Sequence, residues 1–163
     1  MLQEASFDLG LSATAFHWLN EDFALTKVAK LLRLGGWWAM LWNVFGDSRR
    51  PDPFHEATKS ILNKPLSPSA GNGEVPFALD AEARLAAFKR TDAFDSVEHR
   101  TSMWSLVLDP DQTVALYATH SNINILQDRQ DVLNELRRIA RDEFQGCVTR
   151  NMVTSLYVAR RRP

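Results

Sequence analysis

The stretch Ser6–Asn43, SFDLGLSATAFHWLNEDFALTKVAKLLRLGGWWAMLWN, determines the fold that the sequence predicts. Residues 7–16 are mostly apolar at both alternate positions, which is typical of a parallel strand covered on both faces. Residues 37–42, WWAMLW, predict a second buried strand. A crossover helix between two such strands makes a βαβ unit, so we expect the two strands to be parallel.

The segment between these strands has the pattern of an amphipathic helix. Asn20 is suited to the N-cap, and the two acidic residues after it lie in the first turn, where the helix dipole favours negative charge. Apolar residues recur at helical spacing over residues 24–32. Gly35–Gly36 is expected to end the helix, because glycine adopts the left-handed conformation without a steric penalty.

The segment that follows, residues 47–93, has the composition of an insertion and is a candidate lid. It contains a predicted helix at about residues 53–62 and a loop rich in proline and glycine, KPLSPSAGNGEVP. A second predicted helix in this segment begins after Asp80, which is suited to its N-cap.

The C-terminal part predicts two further strands and more helices. The pattern EHRTSMWSLVL indicates a strand, and Asp109-Pro110-Asp111-Gln112 has the residues of a capping box with proline at the first helical position. Residues 129–144 have the clearest helical periodicity in the chain. The last stretch, CVTRNMVTSLYVARR, alternates only partly and predicts an edge-type strand.

Together these elements predict a single α/β domain over residues 1–163, with a mixed sheet of about four strands and flanking helices. Its parts are the βαβ unit at 1–46, the inserted helical segment at 47–93 and the C-terminal strands and helices at 94–163. The length of 163 residues and a hydrophobic share of 45% are typical of one globular domain.

Composition excludes several classes of function. Basic and acidic residues balance at 19 and 20, so charge gives no reason to expect a nucleic-acid partner. One cysteine and four histidines at scattered positions form no recognisable metal-ligand set, and we expect no metal. The N-terminus lacks the pattern of a signal peptide, and the longest apolar run is too short to cross a bilayer. We therefore expect a cytoplasmic protein with no membrane partner.

Four short motifs in the opening stretch carry a resemblance to a known family. They are Phe7-Asp8, His17-Trp18, Leu32–Gly36 and Trp42-Asn43. In this order they resemble the later part of a class I S-adenosylmethionine-dependent methyltransferase, most closely the small-molecule group called type 11. The C-terminal half is similar to the same family at Thr119, Ser121, Arg129 and Tyr157–Arg161.

The resemblance implies a partial Rossmann-like methyltransferase fold. The family's sheet has seven strands, and this chain resembles it from the fourth strand onward. The glycine-rich loop after the first strand is missing from the pattern, and so is the acidic residue that holds the cofactor's ribose hydroxyls. We therefore expect a truncated methyltransferase in which S-adenosylmethionine binds weakly or not at all.

The resemblance also implies positions for site residues in and near the loop after the first strand. His17 is the one candidate for a catalytic base, although it could instead fix the loop by a hydrogen bond beneath the helix. Trp18 could stack on a ligand or belong to the core. The implied cofactor contacts are Ser12, Ala13 and Thr14, and the implied substrate contacts are His17, Trp18, Asn43 and Ser121.

Two hypotheses for function follow. In the first, the chain derives from an enzyme that transfers a methyl group from S-adenosylmethionine to a small-molecule acceptor. In the second, it is a non-catalytic module that binds a partner. An exposed strand edge is an aggregation hazard, and pairing the first strand with a second copy would remove it. The second hypothesis therefore predicts a homodimer through that edge.

Overall fold

The computed structural model describes residues 2–45, 52–62 and 75–163. Four strands and six α-helices lie in this part of the chain, with short 3-10 helices at Phe16–Trp18 and Phe77–Leu79. The strands are β1 (Phe7–Ala13), β2 (Leu32–Val44), β3 (Phe94–Leu108) and β4 (Val148–Arg161). The helices are α1 (Glu21–Leu31), α2 (Pro53–Leu62), α3 (Ala81–Thr91), α4 (Pro110–Tyr117), α5 (Ser121–Asn124) and α6 (Arg129–Asp142).

The four strands form one mixed sheet in the order β1-β2-β4-β3. Strands β1 and β2 are parallel, with Leu9 opposite Trp37, and β2 and β4 are antiparallel, with Met40 opposite Tyr157. The predicted parallel βαβ unit and the mixed four-stranded sheet are therefore confirmed. The chain has a partial Rossmann-like α/β fold, with helices flanking the mixed sheet.

The last strand does not have the predicted edge position. β4 lies between β2 and β3, so the prediction of an edge-type strand was wrong. Its partial alternation arises because one face of the strand is fully buried while the other is only partly covered. A central strand with one open face has the same sequence pattern as an edge strand.

The first strand is also more exposed than predicted. Leu9 and Leu11 are 61% and 59% exposed, so the expectation that β1 is covered on both faces was wrong. β1 is at one edge of the sheet. The apolar pattern of β1 predicts burial, but in the described part of the chain no element covers the face that carries Leu9 and Leu11.

The predicted helix end at Gly35–Gly36 was wrong as well. α1 ends at Leu31 and β2 begins at the next residue, so both glycines lie inside the strand. The β1–β2 register slips at this point, and Gly35 has a φ of +75°. A Cβ on Gly36 would lie 2.9 Å from the carbonyl oxygen of Arg33 and 3.1 Å from that of Phe7. These glycines form a bulge that lets the β2 backbone approach β1.

The helix signals were more accurate. The predicted helix over residues 53–62 is α2. The Asn20 and Asp80 side chains cap α1 and α3, and Asp109 and Gln112 form the predicted capping box of α4. Much of the proposed lid, including its proline-rich loop at 63–74, lies outside the described residues. None of the helices that the structure describes has the length and apolar composition needed to cross a membrane.

The chain divides into two compact units. The first unit is Met1–Val44, Pro68–Ser102 and Val153–Pro163, and the second is Phe45–Ser67 and Met103–Met152. The core of the first unit is formed by α1, α3 and one face of β2 and β4. The core of the second is formed mainly by α4, α6, Phe54 and Val148. The division of one domain at residues 46 and 93 stays a prediction.

Candidate functional site

The candidate site lies in the first unit, where β1 ends beside β2. Because the two strands are parallel, their carboxyl ends meet at the same edge of the sheet. Thr14 has a φ of +49°, and its N–H donates to the carbonyl oxygen of Leu41 at 2.8 Å. The chain then turns into the 3-10 helix Phe16–Trp18. In open α/β sheets, ligands bind outside the carboxyl ends of the strands.

One buried ring anchors this loop. Phe16 is fully buried, with its ring centroid 5.8 Å from that of Trp38. The next two residues turn away from the core: His17 is half-buried and Trp18 is 56% exposed. The interpretation of Trp18 as a core residue was therefore wrong. Its exposed indole remains available to a ligand.

His17 is held by a hydrogen bond from the neighbouring strand. Trp42 Nε1–H donates to His17 Nδ1 at 3.0 Å. Since an indole N–H can only donate, Nδ1 carries no proton in this arrangement, and the neutral ring then carries its proton on Nε2. Burial also lowers the pKa of His17. The imidazole is therefore a neutral group that presents an N–H donor from Nε2 rather than a free basic nitrogen.

Three aromatic rings, those of Trp42, Phe77 and Tyr157, pack together beside His17. The Trp42 ring lies 5.8 Å from that of Phe77 and 6.1 Å from that of Tyr157. Tyr157 donates its hydroxyl to the carbonyl oxygen of Ala78 at 2.9 Å, and burial raises the pKa of Tyr157 to about 12. This phenol therefore stays protonated near neutral pH. Sequence reasoning missed Phe77, whose only signal was the short apolar run FAL after Pro76.

The remaining predicted site residues are distributed over both faces of the sheet. Ser12 pairs with Met40 and so points to the face that carries Trp42, whereas Ala13 pairs with Leu41 and points to the opposite face. Asn43 lies on that opposite face, and its Oδ1 accepts a hydrogen bond from Thr154 at 2.7 Å. Thr14, His17 and Trp18 share the loop with Ser12 and Ala13. Ser121 begins α5 in the second unit.

The loop fits only part of S-adenosylmethionine. Residues 12–18 offer two hydroxyls, small side chains and an exposed indole, but the loop has no carboxylate to hold ribose hydroxyls. The nearest acidic residue in the sequence before it, Asp8, pairs with Arg33 at 2.5 Å. In residues 2–45, 52–62 and 75–163, no group of His, Cys, Asp and Glu side chains is arranged to hold a metal ion.

Comparisons with known proteins support the fold. No protein-family model and no protein of curated function matches the sequence. A candidate type II methyltransferase from Anaeromyxobacter dehalogenans has 14% identity and a TM-score of 0.55, with 99% of this chain and 66% of that one covered. A candidate methyltransferase from Bacillus halodurans has 11% identity and a TM-score of 0.54, with 99% and 72% covered.

A longer enzyme is matched only in part. Phosphoethanolamine N-methyltransferase 2 from Haemonchus contortus, solved with S-adenosylhomocysteine, has 15% identity and a TM-score of 0.47. The match covers all of this chain and 35% of that enzyme. The chain thus spans about a third of that protein's length. The two matches with TM-scores above 0.5 show that the chain shares the fold of those methyltransferase structures.

Proposed function

We propose that this chain forms the acceptor-facing part of an S-adenosylmethionine-dependent methyltransferase that acts on a small molecule. One observation carries the proposal. The motif residues of the loop at 12–18, together with Trp42 and Asn43, lie at the carboxyl ends of two adjacent parallel strands, where sheets of this class bind ligands. The fold shared with solved methyltransferases supports it.

The proposed roles follow from the position and chemistry of each residue. The exposed indole of Trp18 would pack against the acceptor, and His17 would orient it through Nε2–H. Methyl transfer is an in-line displacement. The main contributions of Trp18 and His17 would therefore be to align the acceptor with the methyl group and to exclude water. Cofactor contacts are proposed for Ser12, Ala13 and Thr14, and acceptor contacts for His17, Trp18 and Asn43. Ser121 belongs to the second unit, and its role as an acceptor contact stays a prediction.

His17 is better suited to orienting the acceptor than to removing its proton. To act as a base through Nε2, the ring would have to place its proton on Nδ1 and give up the bond from Trp42. That bond, together with burial, favours the neutral ring with Nε2 protonated. We therefore propose His17 as a positioning residue.

The test is a titration of the ¹⁵N-labelled chain with S-adenosylhomocysteine, followed by NMR. We expect weak binding, with a Kd of about 1 mM or higher, and saturable shifts centred on residues 12–14, the proposed cofactor contacts. Ser12→Val should abolish the shifts, while Phe23→Ala, an exposed aromatic on α1, should keep them. A ligand that shifts no loop resonance at about ten times that concentration would contradict the proposal.

A second candidate function is a module that pairs through β1. The observation that favours it is the exposure of Leu9 and Leu11 on a strand at the edge of the sheet. A homodimer would form by adding the same strand of a second copy. Sedimentation equilibrium should then give twice the chain mass, and Leu9→Lys should return the monomer while Ile125→Lys, exposed on a loop, should not. A monomer for the unmodified chain would exclude this function.

A further inference from the structure

The second compact unit contains a buried arginine with one unused donor. Arg150 lies on β4 between Val148 and Met152, and its side chain is completely buried. Its Nε donates to Asp52 Oδ2 at 2.8 Å, and its Nη1 donates to the hydroxyl oxygen of Tyr117. The third nitrogen, Nη2, is buried and has no hydrogen-bond partner. Buried donors on a cation are almost always satisfied, so this atom requires an explanation.

The carboxylate beside it accepts three hydrogen bonds, and none of them comes from Nη2. Asp52 Oδ2 accepts from Arg150 Nε and also from the backbone N–H of Asn151 at 3.1 Å. Asp52 Oδ1 accepts from the backbone N–H of His55 at 2.8 Å. Both carboxylate oxygens are therefore occupied, and rotating the group toward Nη2 would break bonds that fix the start of α2.

Two histidines and a phenylalanine lie around the same guanidinium. The Phe45 ring is 4.4 Å from the guanidinium carbon of Arg150, and it stacks on His120 with centroids 5.8 Å apart. The His55 ring lies 5.3 Å from the Phe45 ring, and the charge of Arg150 acts on its pKa. His55 Nδ1 is also buried without a partner. The three rings are only partly buried, so the cluster reaches the surface of the unit through them.

From these contacts we infer a site for a small oxyanion, a carboxylate or phosphate group, that accepts hydrogen bonds from Arg150 Nη2 and the His55 ring. An oxyanion has the acceptors that both unpartnered atoms need, and it brings the negative charge that a buried guanidinium attracts. The site lies within the second unit and does not depend on methyl transfer. A buried water molecule could satisfy the same donors, and the experiment below distinguishes the two.

The electrostatics of the two histidines provide a sensitive readout. Burial, followed by the charge of Arg150, lowers the pKa of both His55 and His120. Lys59 lowers the pKa of His55 further, while Asp52 and Glu56 raise it. A bound anion favours the charged imidazolium, so it should raise both pKa values. By linkage, the anion should bind more tightly as the pH falls.

The experiment is an NMR titration of the histidine side chains of the full chain at constant ionic strength, with and without inorganic phosphate or acetate. We expect a saturable rise in the pKa of His55 and His120, with His17 unchanged. Tighter binding of phosphate than of acetate would indicate a phosphoryl ligand, and the reverse a carboxylate ligand. If neither anion produces a saturable rise, Nη2 is satisfied by water and the inference is wrong.

Two variants and a control complete the test. Arg150→Lys removes Nη2 but keeps a charge, and it should weaken phosphate binding about tenfold or more. His55→Gln leaves the Arg150–Asp52 pair intact and should also weaken binding, so the result does not depend on whether the arginine variant folds. Arg137→Lys alters an exposed arginine of the same unit and should change nothing. Equal binding in all three variants would overturn the inference.

Discussion

Among the described residues, each compact unit buries an arginine beside a carboxylate and an aromatic ring, but the two arrangements differ. In the first unit, Arg84 Nε lies 2.9 Å from Glu21 Oε1 without the alignment of a hydrogen bond, and its guanidinium carbon is 3.5 Å above the Phe77 ring. Both side chains there keep some contact with solvent. In the second unit, Arg150 and Asp52 are completely buried and joined by an aligned hydrogen bond.

The difference shows which force dominates at each carboxylate. At Glu21, burial is the largest single effect and raises the pKa, while the charges of Arg84 and Arg90 lower it. Asp52 accepts three hydrogen bonds, which replace the water it has lost. The Arg84–Glu21 pair can therefore lose one partner at a smaller cost, because solvent reaches it. Removing one partner of the Arg150–Asp52 pair would leave an uncompensated buried charge.

The largest effect should come from breaking the buried pair. Asp52→Asn keeps the side-chain shape but leaves the Arg150 charge uncompensated, and it should lower the free energy of unfolding by about 3–5 kcal/mol. Glu21→Gln should lower it by less than about 2 kcal/mol, because water still reaches that pair. Denaturant unfolding monitored by circular dichroism measures both values.

The exposed pair in the second unit is the control for this comparison. Asp111 pairs with Arg137 at 2.9 Å on the surface, and Asp111→Asn should change stability by less than about 1 kcal/mol. The contrast between the units would be lost if Glu21→Gln and Asp52→Asn proved equally destabilising.

A second contrast concerns glycine. In the first unit, a Cβ on Gly36 would lie within 3.2 Å of three backbone carbonyl oxygens, none of which can move without shifting a strand. Gly36→Ala should therefore lower the free energy of unfolding by up to about 3 kcal/mol. In the second unit, Gly146 has open space around its Cβ position and a φ of +73°, so Gly146→Ala should cost about 1 kcal/mol. Thermal unfolding measures the loss of stability in each variant. A larger loss for Gly146→Ala than for Gly36→Ala would mean that backbone strain outweighs crowding.

The pH dependence of stability should also differ between the units. Burial lowers the pKa of His17 in the first unit, and of His55 and His120 in the second. The unfolded chain therefore binds these protons first, so stability falls as the pH drops below about 6.5 and levels off once the folded histidines are protonated. Each proton contributes at most about 1.4 kcal/mol per pH unit.

Variants assign this dependence to each unit. His55→Gln and His120→Gln together should reduce the pH slope of the unfolding free energy more than His17→Gln does. At pH 8, where all three rings are neutral, the same variants should have no effect on the slope. Stability that increased as the pH fell from 7 to 5.5 would contradict the lowered pKa values.

Local signals explain which parts of the fold were predictable. Helix starts at Asn20, Asp80 and Asp109 depend on side chains within three residues of the backbone they cap, so the sequence contains them in full. The place of β4 between β2 and β3 depends on pairing between residues far apart in the chain. No local sequence pattern reveals the pairing of distant strands. In the same way, the burial of β1 depends on which other elements pack against its faces, and a local pattern does not reveal that either.

The candidate site shows the same limit. The loop at 12–18 was found because its motif is contiguous, but the bond between Trp42 and His17 joins residues 25 positions apart and depends on the face of β2 that carries the indole. Arg150 was missed although a signal existed. It stands between Val148 and Met152 on the alternating positions that face a core, where an arginine needs a buried partner.

The smallest expected effect is a change in the pKa of His17, which differs from His55 in having a hydrogen-bond partner at Nδ1. His17 Nδ1 accepts a hydrogen bond from Trp42, whereas His55 Nδ1 is buried without a partner. Trp42→Phe removes a donor that favours the neutral ring, so the pKa of His17 should rise by up to about one unit, measured by NMR titration. Trp38→Phe, on the same face of β2, removes an indole N–H that has no partner and should leave it unchanged. If both variants left the pKa of His17 unchanged, the hydrogen bond from Trp42 would not control the protonation of the ring, and the argument against His17 as a base would fail.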